Sequence, residues 1–184
     1  HTTPWFHATN LENVRPENLV QVGIGGWQVP REAVEIARDR KTNILTLSDV
    51  EKLGIEKTIE IALDLAWKDT DMVYLSFDID SIDCGFVPGT GWPEPGGFLP
   101  REALQLVAGV AAEGLCGMEL VEVSPPYDQS DITALMATRV IVEVLGSMTM
   151  TGNLGNHRKY IDKPVKIPHG DFEGQRWSNN NSSK

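Results

Sequence analysis

Short apolar runs alternate along this chain with stretches of helical periodicity, and the alternation predicts its elements. Met72 to Phe77 is an apolar run rich in β-branched and aromatic residues. It is too short for a buried helix and predicts a buried parallel strand. Asn18 to Ile24, Asn43 to Leu47 and Leu115 to Val123 predict three more strands, the last interrupted by Gly117. Helices fill the intervals. Arg31 to Arg40 starts after Pro30 and carries Ala33, Val34, Ile36 and Ala37 as an apolar stripe. Ser48 and Glu51 have the spacing of a capping box, and Ile55, Ile59, Ala62, Leu63 and Ala66 continue the helical pattern to Trp67. Leu99-Pro100 opens a further helix with Ala103, Leu104, Val107, Val110 and Ala111 on its buried face. Ser130 is the expected cap of the last helix, in which Ile132, Leu135, Met136, Val140 and Leu145 form a face ended by Gly146. The opening HTTPWFHATN predicts a loop running into a short helix.

The order β, α, β, α, β, α, β, α predicts a three-layer αβα fold with a mostly parallel sheet and right-handed crossovers. From Thr149 the periodicity stops and Gly, Pro and Asn accumulate. The expected organisation is an α/β unit over residues 1–148 and an irregular arm over 149–184 that packs on a neighbouring subunit. A length of 184 residues with 41% hydrophobic and 23% charged residues suits one globular domain with a real core. The formal net charge of -10 leaves no basic stripe for nucleic acid and suits a cationic substrate. Cys84 and Cys116 have no CxxC spacing, so neither a disulfide framework nor a zinc knuckle is expected. With no apolar run read as long enough to cross a membrane and no signal-peptide pattern, the expectation is a cytoplasmic protein without a membrane partner.

Candidate chemistry sits at strand ends. On an extended backbone Asp78 and Asp80 project to one side with Ile79 opposite, and two carboxylates on one face repel unless a cation lies between them. The carboxyl end of a parallel strand is also where sites form. An Asp-x-Asp can equally be an ordinary turn signal. The loop Asp83 to Phe98 that follows holds five glycines and three prolines, which fix its path and let backbone approach a ligand closely. Glu122 ends the last strand, where the ordinary alternative is a solvated acid.

The run SFDIDSID with PGTGWPEPGG resembles the signature of the ureohydrolases, the arginases, agmatinases and their relatives. MELVEVSPPYDQSDITAL is similar to the second block of that family, and HTTPWF resembles its His-Gly-Thr-Pro-Phe loop, so the resemblance covers roughly residues 1 to 146. It implies an arginase-like fold, here the C-terminal portion, and a binuclear centre of two divalent metal ions held and bridged by Asp78 and Asp80, whose hydroxide attacks a guanidinium carbon. Glu122 is implied to hold the substrate guanidinium. His1 is implied to shuttle a proton to the leaving nitrogen. Asp83 and Asp128 fall on motif positions where support is as good a reading as direct contact. The resemblance further implies a homo-oligomer, a trimer or hexamer.

Departures from the family pattern sharpen the expectation. Trp92 stands where most arginases and agmatinases have Thr or Ser, so the indole should fill the space of a long substrate arm and stack on a small cation. With Trp27 and Gln28 after the GIGG turn, this resembles the guanidine hydrolase branch, in which guanidine yields urea and ammonia and nickel (Ni2+) replaces manganese (Mn2+). The alternative is an agmatinase- or guanidinobutyrase-type enzyme. Cys84 in place of the family's Pro is expected to alter only loop stiffness. No Asp-x-His occurs, although the family's Asp-x-His-x-Asp motif supplies the remaining metal ligands. The chain is therefore expected to be the C-terminal part of a longer enzyme, the other reading being a non-catalytic scaffold relative.

Overall fold

The computed structural model describes residues 3–26 and 30–154. Its elements are α1 (Pro4–Ala8), β1 (Val20–Ile24), α2 (Arg31–Arg40), β2 (Asn43–Thr46), α3 (Leu47–Leu53), α4 (Ile55–Ala66), β3 (Tyr74–Asp78), α5 (Pro100–Ala112), β4 (Gly117–Val121) and α6 (Ile132–Met150), with single 3-10 turns at Pro16–Asn18, Ile79–Ser81 and Pro125–Tyr127. The four strands and the helices between them stand where the periodicity places them. All observed pairings are parallel, as chains of βα units require.

The sheet is divided. β1 pairs with β2 and β3 with β4, and among the described residues no hydrogen bond joins β1 to β3. Among the described residues the strands thus form two parallel pairs with a cavity between them. β1 and β3 nevertheless run the same way. At their amino ends Arg15 bonds Asp69 at 3.3 Å, and at their carboxyl ends Gly26 abuts the Glu94 carboxylate.

The core is concentrated around β3 and α5. Phe77, Ile79, Ile82, Val87 and Phe98 come from β3 and the loop after it, Ala103, Leu106, Val107 and Ala111 from α5, and Ala137, Val140, Val144 and Met148 from α6. α5 and α6 are tied further by the Ser147 hydroxyl, which donates to the Ala108 carbonyl at 2.7 Å.

Several local expectations need correction. The capping box lies two residues earlier than Ser48: Thr46 accepts from the Asp49 amide, and the Asp49 carboxylate accepts from the Thr46 amide. The helix then breaks at Gly54, whose φ of 79° is readily available to glycine alone. On α6 the buried stripe is Thr133, Ala137, Val140, Val144 and Met148, whereas Ile132, Leu135 and Leu145 are exposed. Hydropathy alone misjudged that face because two small or polar residues, Thr133 and Ala137, sit on the seam. Gly146 does not end the helix, which continues to Met150. Neither does Ser130 cap it: the carboxylate of Asp128 reaches the amides of Thr133 and Ala134 at 2.9 Å instead. In the apolar stripe of α2, Val34 and Ala37 are half-buried and Ala33 and Ile36 are exposed. α6 is long and apolar enough to cross a membrane by length and composition, contrary to the sequence reading, and one stripe of it packs on α5. Most of the expected arm, residues 155–184, lies outside the described residues.

Candidate active site

β3 delivers Asp78 at its carboxyl end, and there the strand stops. Ile79 to Ser81 form a 3-10 turn, held by the Ser81 hydroxyl donating to the Asp78 carbonyl at 2.7 Å. Extended alternation is therefore not what brings Asp78 and Asp80 together. The turn does so, with the Asp80 amide donating to the Asp78 carboxylate at 3.1 Å while Ile79 is driven fully into the core.

The electrostatics of this pair are unfavourable without a counter-charge. Burial pushes the Asp78 carboxyl above the usual carboxylate range, Glu122 adds to the push, and the hydrogen bonds with Asp80 oppose it. Burial raises Asp80 to about 7, with Asp78, Glu122 and Glu94 each adding repulsion. Four carboxylates thus converge on one mouth. Glu94 carries no chemical signal in the run PEPGG, and only the fold of the loop brings it to Asp80.

Glu122 follows the last residue of β4 with φ at 66°. The left-handed region costs a side-chain-bearing residue roughly 1–2 kcal/mol, so the strand is turned abruptly where its carboxylate must aim. The carboxylate lies against Gly91, 3.8 Å from where a Cβ would stand. The loop carrying Gly91 is stitched to the segment after β4 by the Ser124 amide donating to the Gly89 carbonyl at 2.7 Å and by a bridge between Thr90 and Val123. Gly89 also donates to the buried Thr133 hydroxyl at 2.8 Å.

Asp83 and Asp128 do not face the acidic mouth through any contact seen here. Asp83 closes the base of the glycine-rich loop, accepting from the Gly85 amide at 2.8 Å and the Gly96 amide at 2.7 Å. Those amides, Gly96 first, hold its carboxyl below the usual range. Asp128 anchors the amino end of α6; desolvation works against its charge, but the Thr133 and Ala134 amides outweigh it and lower its pKa. Both carboxylates are thus engaged by backbone amides. Gly89 must be glycine beside Asp128, since a Cβ there would stand 2.5 Å from the Asp128 Cβ.

A cavity of about 1150 Å³ runs from Arg15 and Asp69 at the amino ends of β1 and β3 to a mouth where Asp78, Asp80, Trp92, Glu94 and Glu122 meet. Trp92 is 60% exposed at that mouth. His1, Trp27 and Gln28 lie outside the described residues. The donor set at the mouth fits a divalent cation in kind, being hard carboxylate oxygens that resist ionising together. It does not complete a site: among the described residues no group of three His, Cys, Asp or Glu side chains is placed to hold a metal.

Residues 1–146 match the arginase family. The chain belongs to the arginase family. It is 35% identical over 145 residues to the proclavaminate amidinohydrolase of Streptomyces clavuligerus, an alignment covering 79% of this chain and 46% of that protein. An agmatinase of Photorhabdus laumondii is 37% identical over 146 residues, covering 79% and 44%. A guanidinopropionase of Pseudomonas aeruginosa is 35% identical over 145 residues, covering 79% and 45%. The solved proclavaminate amidinohydrolase structure superimposes with a TM-score of 0.74 at 33% identity over 82% of this chain and 50% of its own. The arginase-like α/β fold is thereby established, and this arginase-family chain spans about half the length of the relatives it matches.

Proposed function

We propose that this chain forms part of a metal-dependent hydrolase that cleaves guanidine to urea and ammonia. Supporting this reading is the meeting, at one mouth, of a repelling carboxylate pair, a strained glutamate and a tryptophan inside the family's Gly-Thr-Gly loop. Asp78 and Asp80 would each hold divalent cations, with further ligands supplied from outside the described residues. Bound cations lower the pKa of water so that it can attack at neutral pH.

The chain's own residues do the rest. Glu122, fixed by its backbone turn and by Gly91, accepts hydrogen bonds from the planar guanidinium in a forked geometry. Trp92 narrows the mouth with a ring able to stack on that cation, worth about 1–2 kcal/mol once water is excluded. A guanidino compound with a long arm must displace the ring; free guanidine need not. His1 would return a proton to the departing nitrogen. Nickel or manganese both suit hard donors, and nickel is the proposed native metal. A homo-oligomer with residues 149–184 reaching a neighbour, in a cytoplasmic setting, completes the proposal.

A second reading, an agmatinase-type enzyme, is favoured by the agmatinase relatives. Comparing kcat/KM for guanidine, methylguanidine, agmatine and arginine on the protein in its natural length separates the two. Guanidine should lead, and Trp92→Thr should weaken its turnover while admitting longer substrates. Agmatine ahead of guanidine by about tenfold, some 1.4 kcal/mol in transition-state binding, would overturn the small-substrate reading. Elemental analysis separates both from a metal-free scaffold, since Asp78→Asn and Asp80→Asn should each lose metal only if the site binds it.

A further inference from the structure

We infer that Arg40 is a positioning residue for the proposed reaction, holding α1 and through it the segment that opens with His1, an inference that rests on the proton-shuttling role proposed for His1 above. α1 cannot hold itself. Its five residues fall well short of the roughly 12–15 that an isolated helix needs in water, none of them is buried, and Thr3 gives the first turn no side-chain cap. Yet Pro4, Trp5 and Ala8 line the cavity that ends at Asp78, Asp80 and Glu122, so α1 is a wall of the candidate site. His1 precedes Thr3 by two residues, a tether of at most ~7 Å that carries the placement of α1 to it.

One guanidinium supplies the tie. Arg40, the last residue of α2, donates from Nη1 to the Phe6 carbonyl at 3.0 Å and to the Thr9 hydroxyl at 2.6 Å, and from Nη2 to the Asn10 side-chain oxygen at 2.9 Å. Its Cζ stands 4.0 Å from the centroid of the Phe6 ring. Thr9 passes the hold on, since its buried hydroxyl donates in turn to the Trp5 carbonyl at 2.8 Å. Among the described residues, every hydrogen bond between residues 3–14 and the rest of the chain comes from Arg40. Arg40 is itself rooted, because β2 begins three residues later and pairs with β1. The tie therefore runs from the paired strands to α1. Only a planar fork meets a carbonyl, a hydroxyl, an amide oxygen and a ring face together; the single nitrogen of lysine cannot. Placement matters at this scale, since a reacting group displaced by about 1 Å can lose on the order of 100-fold in rate.

A double-mutant cycle on the manganese-loaded protein in its natural length tests this, with kcat measured on whichever of guanidine and agmatine the wild type turns over faster. Arg40→Lys should lower kcat by about tenfold or more and move KM by less than about twofold. Made in a His1→Asn background, the same substitution should cost less than about twofold further, because the residue it acts through is already gone. Hydrogen exchange reads the tie without turnover. The His7 and Thr9 amides, which donate to the Thr3 and Trp5 carbonyls at 3.2 and 3.0 Å, should exchange about tenfold faster or more in Arg40→Lys, with Gln21 unchanged. An unchanged kcat, equal losses in the two backgrounds, or exchange of those amides at the wild-type rate would each overturn the inference while leaving the proposed reaction standing. No hydrolysis of either substrate by the wild type would overturn the proposed reaction, and the inference with it.

Discussion

Replacing Thr133 by valine tests how the loop bearing Gly-Thr-Gly is held against Glu122. Thr133 is fully buried in α6, and its hydroxyl accepts from the Gly89 amide at 2.8 Å. Valine keeps the shape and a similar place in a helix but removes the acceptor, so a buried N–H is orphaned at a cost of about 1–3 kcal/mol. The added methyl returns up to ~0.8 kcal/mol of apolar burial. The net expectation is about 0.2–2.2 kcal/mol. For a chain of 184 residues that lowers Tm by up to roughly 9 °C. Urea unfolding measures the loss, and the Gly89 amide, followed by hydrogen exchange, should lose its protection. Thr133→Ser, which keeps the oxygen and deletes a methyl, should also destabilise, by about 0.5–1.5 kcal/mol, yet leave that amide protected. If valine costs less than about 0.5 kcal/mol and Gly89 stays protected, this hydrogen bond does not hold the loop.

Gly23→Ala should be among the most damaging single changes: its φ is 82°, and the new Cβ would stand 2.2 Å from the ring of the buried Phe98. Strain alone costs about 1–2 kcal/mol before the ring moves, so a Tm unchanged within error would contradict the packing of β1 on that loop. Asp83→Asn removes the charge that both Gly85 and Gly96 amides address; limited proteolysis should cut the 84–97 loop faster, and an unaltered rate would deny the clamp. Stability of the metal-free protein should depend on pH in two opposed ways. The lowered carboxyls of Asp49, Asp83 and Asp128 contribute stability above pH ~4 that is lost as pH falls through their folded values. The raised Asp80 binds its proton more tightly when folded, so stability present below pH ~4 is lost as pH rises toward about 7. Urea unfolding across pH 3–8 should therefore peak at mildly acidic pH, and saturation with manganese or nickel should abolish the decline toward neutrality.

Much of this chain is local in its logic, and that part was legible in residue order. The βα alternation, the buried run before Asp78, the Pro-led start of α5 and the acids at two strand ends all follow from short-range periodicity and chain stiffness. The family motif reached further than periodicity, since it singled out Asp78, Asp80 and Glu122 and implied their roles. What the tertiary structure decided depends on contacts between distant residues. Asp78 and Asp80 meet through a 3-10 turn that the packing of Ile79 enforces, not through strand alternation. Glu94 joins them only because the glycine-rich loop is closed by Asp83 and by Gly89 on Thr133. Asp128, 39 residues beyond Gly89, is revealed as an anchor of α6 only when both ends are seen together. Hydropathy could not find the buried seam of α6, because small residues are selected there by the closeness of α5. The division of the sheet was likewise invisible, for a sequence shows which segments are strands but not which edges find partners.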